Sequence, residues 1–83
     1  MISDTILSYN LMLMYEIREK SGAGAIEVQG HVATFDEIAA NLSENGIGNK
    51  QDLQDFIKES KEDGHTATEI EAALFGMAYN MEE

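Results

Sequence analysis

Thr34 stands three residues before Glu37, and Thr66 three before Glu69, each pair heading an apolar run; no other feature of this sequence restricts its folding as tightly. The spacing is that of a capping box. The threonine hydroxyl takes the N–H of the third helical residue, and the glutamate carboxylate returns to the threonine N–H. A helix start is thereby fixed. Behind Thr34, Phe35, Ile38, Ala39 and Leu42 fall on one face, and Asn45-Gly46 supplies a left-handed stop with Ile47 after it. Asn49 caps the next helix, which runs to about Lys61 with Leu53, Phe56 and Ile57 as its apolar face, and Gly64 ends it. The last helix starts at Thr66 with Glu69, or at Thr68 with Glu71 in the same relation. Ile70, Ala73, Leu74, Met77, Ala78 and Met81 form its stripe, while Phe75 and Tyr79 point to the opposite side. "TFDEIAANL" and "TATEIEAAL" agree at five places, a likeness that convergence of two well-capped amphipathic helices explains without a duplication.

The N-terminal third is less well marked. A first helix is expected from about Asp4 to Lys20, capped by Ser3 or Asp4 and ended by "SGAGA". At 100° per residue, Leu11, Met12, Leu13, Met14 and Tyr15 point in every direction, and Thr5 to Tyr15 carries no charge. Such a helix is either surrounded by its own domain or covered by another chain. In "AIEVQGHVA", Ile26 and Val28 alternate with Glu27 and Gln29 and the pattern breaks at Gly30, so residues 26–33 read as a short strand pair. Two such strands are barely stable without something to pack on. The expected fold is thus mainly α, a small bundle of about four helices with that strand pair, in one domain spanning residues 1–83. A chain of 83 residues buries only roughly 60% of its unfolded surface, which leaves a thin stability margin.

Charge narrows the function classes. Sixteen acidic residues against five basic ones give a formal net charge of -11, a surface that repels phosphate backbones and anionic headgroups. With 43% hydrophobic residues the chain is nevertheless globular. Cysteine is absent, which fits a reducing cytoplasm and removes disulfides and thiolate chemistry. The sequence shows no secretory leader and no apolar run near the roughly 18 residues of a membrane span, so a cytoplasmic protein with no membrane partner is expected.

Thr34 to Glu59 has the outline of a DNA-reading helix-turn-helix, but its second helix argues against that use. Lys50, Gln51 and Gln54 are placed to read bases, yet Asp52, Asp55, Glu59 and Glu62 make an acid ridge spanning about 80° of the helix. A phosphate backbone would meet that ridge first. The connection is also longer than the usual three- or four-residue turn. Direct DNA binding is therefore disfavoured, and a helix-turn-helix-like regulator is kept only as an alternative.

The same ridge suits a cationic groove. In size and charge the chain resembles small, very acidic inhibitors of nucleic-acid enzymes, often carried by phages or mobile elements, and that resemblance implies mimicry of a nucleic-acid backbone. The plainer explanation of the ridge is a solvated face, the usual place of charges on an amphipathic helix. Met12, Met14, Tyr15, Phe75 and Tyr79 are expected to supply an apolar interface, either to a partner or in a homodimer, if four modest helices leave them uncovered. A small homo-oligomeric assembly protein is the third reading.

Catalysis has little foothold. His31 and His65 are far apart, with no ligand-spaced neighbour, and Ser3, Ser8, Ser21, Ser43 and Ser60 lack a nucleophile-elbow context. "SGAGA" lacks the lysine of a phosphate loop, and "KEDGHTATEIE" puts Ile70 where a calcium loop needs an acid. No enzyme activity, metal or cofactor is expected. The expected activity is binding of a protein partner with a basic surface.

Overall fold

The computed structural model describes residues 6–20 and 23–81. In chain order it contains helix α1 (Ile6–Lys20), strands β1 (Ala25–Val28) and β2 (His31–Thr34), and helices α2 (Phe35–Glu44), α3 (Lys50–Glu62) and α4 (Ala67–Ala78). This is the mainly helical fold with a strand pair that the capping pattern implies. The expected cap of α1 at Ser3 or Asp4 lies outside the described residues.

Three of the helices are delimited by local chemistry at both ends. Thr34 Oγ1 accepts from the Glu37 N–H at 3.1 Å while Glu37 Oε1 accepts from the Thr34 N–H at 2.9 Å, and Thr66 with Glu69 repeats both distances. Of the two possible starts for α4, Thr66 is the one used. Asn49 Oδ1 accepts from the Asp52 N–H at 2.8 Å at the head of α3. At the other ends, the N–H groups of Ile47, His65 and Met81 bond back to the carbonyls of Leu42, Ser60 and Gly76 at 2.9, 3.0 and 2.9 Å. Each follows a left-handed residue, Gly46, Gly64 or Asn80, which is the Schellman arrangement. Asn80 is the stop that the sequence pattern of α4 did not reveal. Its short amide side chain makes the left-handed region more accessible than it is to most residues.

The strand pair closes through Gln29 and Gly30, both at positive φ (52° and 84°), with Val28 opposite His31 and Ala25 opposite Thr34. Positive φ at both loop residues is the hairpin turn whose twist matches that of the strands. Ile26 and Ala33 are buried on one face, while Ala25, Glu27, Val32 and Thr34 are exposed on the other.

Helix α4 touches all three other helices, and its Leu74 is fully buried. Helix α2 packs on α4 through its Ile38 and Leu42 face, so the two similar nonapeptides end up against one another. Helix α3 lies against α1 and α4, with Leu53 in the core. One sequence expectation changes here, and one of the two alternatives for α1 is removed. Ala73 is exposed and Met81 lies beyond the helix, 45% exposed, because the buried arc of α4 turns from Ala73 toward Glu71 and Phe75. Helix α1 is not wrapped all round. Leu7, Leu11, Met14 and Tyr15 form a buried stripe at helical spacing, leaving Tyr9 63% and Ile17 41% exposed.

Polar ties join distant parts of this core. Glu71 of α4 accepts from the backbone N–H groups of Leu7 and Ser8 at 2.9 and 3.1 Å, placing a carboxylate at the N-terminal turn of α1. Asn41 donates to the Ala78 carbonyl at 2.8 Å, and the Tyr79 hydroxyl donates to the Ile26 carbonyl at 2.7 Å.

Candidate functional site

Helix α3 carries its charges on separate flanks. Taking 100° per residue, Lys50, Lys58 and Lys61 span one arc and Asp52, Asp55, Glu59 and Glu62 another, with Lys58 and Glu62 closest at about 40°. The lysine flank faces α1. Lys50 pairs with Glu16, while Lys58 and Lys61, together with Glu62 of the acid flank, edge an open groove of about 370 Å³ lined by Met12 and Ile57. On the acid flank the four residues are not equivalent. Asp52 is half-buried, and its Oδ2 accepts from the Gly48 N–H at 3.0 Å, which ties the α2–α3 connection to the first turn of α3. Asp55 accepts from Gln51 at 3.0 Å but stays exposed, as do Glu59 and Glu62. The solvent-facing ridge is therefore Asp55, Glu59 and Glu62, with Asp52 serving the fold at its base.

The apolar candidates fare differently. Met14 is fully buried and Tyr15 is 6% exposed, so neither belongs to a surface. They lie on the stripe of α1 that the bundle covers, a choice of face that an evenly apolar helix does not declare in sequence. Met12 remains half-buried at the groove, with its Sδ 3.8 Å from Gln54 Nε2. Phe75 and Tyr79 are half-covered by the hairpin. Their ring centroids are 5.2 Å apart, and His31 meets Phe75 edge-on at 5.4 Å and Tyr79 at 6.2 Å. The hairpin thus finds in these rings the support that two isolated strands lack.

Sequence reasoning missed the cleft beside those rings. It has a volume of about 440 Å³ and lies between β2, α2 and the end of α4, lined by His31, Val32, Glu37, Asn41, Tyr79 and Asn80. Burial pushes the Tyr79 phenol above its ordinary value, and the Glu27 carboxylate adds to this. The available signal was weak. Phe75 and Tyr79 share a face, and His31 falls in register on the same side of the hairpin as Ile26 and Ala33, but nothing local says the two elements meet.

His65 lies 3.4 Å from Glu69, and Arg18 lies 3.2 Å from Asp36. The Thr66 backbone hydrogen bond and then His65 hold the Glu69 carboxyl below its ordinary value. Among the described residues no group of three or more potential ligands is arranged to hold a metal ion, and no helix is long and apolar enough to cross a membrane. No family model, curated protein or solved structure matches the chain.

Proposed function

We propose that the chain acts by binding a protein, inserting the exposed acids of α3 into a basic surface of its partner. The observation that carries this reading is the ridge of Asp55, Glu59 and Glu62, all exposed along one side of α3, with Glu62 reaching the edge of the groove that Lys58 and Lys61 also line. Carboxylates that recur about every 5 Å along a helix match the scale of a cationic groove built for a phosphate backbone. A net charge of -11 speeds the encounter. The partner class that follows is a protein with a nucleic-acid-binding cleft, and the activity is its inhibition or modulation in the cytoplasm, as with acidic proteins of phages and mobile elements.

The test compares the wild-type chain with the triple variant Asp55→Lys, Glu59→Lys, Glu62→Lys, leaving Asp52 in place because it holds the loop. Both are tagged, used to capture proteins from nuclease-treated lysate at two salt concentrations, and checked for helicity by circular dichroism. A basic nucleic-acid-binding protein recovered at low salt by the wild type alone supports the ridge. Equal recovery by a well-folded variant overturns it.

Self-association is the second reading, favoured by the exposed α1 residues Tyr9 and Ile17 with half-buried Leu13 between them at helical spacing. Sedimentation of the wild type and of Ile17→Glu decides it: a dimer lost in the variant would move the function toward assembly. A helix-turn-helix reading gains less support. Among the described residues α2 packs chiefly on β2 and α4 instead of pairing with α3, and α3 turns acids outward. Fluorescence anisotropy with duplex DNA at low salt should show no binding.

A further inference from the structure

We infer that the cleft between the hairpin and α4 is an anchor for one arginine side chain of the basic partner. The inference rests on the proposed function but on different residues. Its first support is the balance of donors and acceptors. The Tyr79 hydroxyl donates to the Ile26 carbonyl and one Asn41 amide N–H to the Ala78 carbonyl, so two of the donors lining the cleft are already engaged. The one acid in the lining is the exposed Glu37 carboxylate, of which the capping box uses Oε1. The second support is charge. No lysine or arginine lines the cleft, and the C-terminal end of α4, the negative end of its dipole, has no basic residue in its last turn. The third is shape. The His31 and Tyr79 rings are tilted 55° to one another at 6.2 Å, giving aromatic surface at the wall where a planar guanidinium can stack while its N–H fork reaches a carboxylate.

The test uses the full isotope-labelled chain and two probe peptides, acetyl-Gly-Arg-Gly-amide and its citrulline counterpart, which keeps the shape and removes the charge. Titration is followed by NMR at the His31 and Tyr79 rings, the Asn41 side-chain amide and the α3 backbone. The arginine peptide should shift the cleft signals, with citrulline binding about tenfold weaker or less. Two variants should each lose that preference: Glu37→Gln, which preserves the capping box while removing its charge, and His31→Ala, at an exposed position. Equal binding of both peptides, or shifts confined to the residues around Asp55, Glu59 and Glu62, would overturn the cleft assignment. The latter result would leave the ridge standing. Conversely, an arginine-specific cleft together with equal partner capture by the α3 triple variant would sink the ridge and keep the cleft.

Discussion

A methyl group added at Gly24 would lie 2.5 and 2.6 Å from ring atoms of Phe35, and the residue sits at φ +148°. Gly24→Ala should therefore lower stability by about 1–3 kcal/mol in a urea melt, because the ring it strikes is part of the core. In the sequence this glycine reads only as the end of the first helix, since the aromatic ring that demands it lies eleven positions on. Gln29 gives the opposite expectation. Its φ of 52° is costly for glutamine and well suited to asparagine, so Gln29→Asn should raise stability by roughly 0.5 kcal/mol in the same assay. Tyr15 and Tyr79 add a pH dependence. Burial raises both phenols above 10.0, with the nearby Asp52 and Glu27 carboxylates pushing the same way and Arg18 opposing at Tyr15. The unfolded chain releases those protons first, so the stability they contribute is intact below pH 10 and is lost as pH rises through the folded values. Phenolate absorbance should show two late-titrating tyrosines, and Tyr79→Phe should remove one of them along with a hydrogen bond.

At the scale of elements, the legible parts are those whose instructions are local. Thr34, Asn49 and Thr66 declare three helix starts, and Gly46 and Gly64 declare two ends, because a cap and its partners lie within six residues of each other. The hairpin is visible as alternation, but its support by Phe75 and Tyr79 is tertiary. For α1 the sequence gives the helix and withholds the face: Met14 and Tyr15 go inward and Tyr9 outward because of where α3 and α4 lie. The acid ridge was legible in full as a pattern, yet Asp52 could not be separated from Asp55, Glu59 and Glu62 without seeing the Gly48 N–H. Glu71→Gln should weaken the junction of α1 and α4 by about 1–2 kcal/mol, measured by thermal unfolding, since it removes the charge from a helix N-terminus. Glu69 carries an acid dependence of its own. Its carboxyl is held below the ordinary 4.5 in the fold, so its contribution is present above that value and disappears as pH falls below it. Glu69→Gln, which can still form the box, should flatten that part of an acid titration followed by circular dichroism.

Across the whole molecule, the radius of gyration of 12.0 Å is that of a compact chain of this length, about 12 Å. None of the described charged residues is buried, so their charges lie at the surface, and in a chain of net charge -11 mutual repulsion opposes compaction. Added sodium chloride should raise the melting temperature by screening that repulsion, the reverse of its effect on a fold held by surface ion pairs. Glu71 has a further consequence, in the order of events as the chain is made. Helices α2, α3 and α4 carry their own starts and stops and are able to form as each leaves the ribosome. The amides of Leu7 and Ser8 wait for a carboxylate 64 and 63 residues downstream. The two bonds that join the start of α1 to α4 therefore close only after nearly the whole chain has been made.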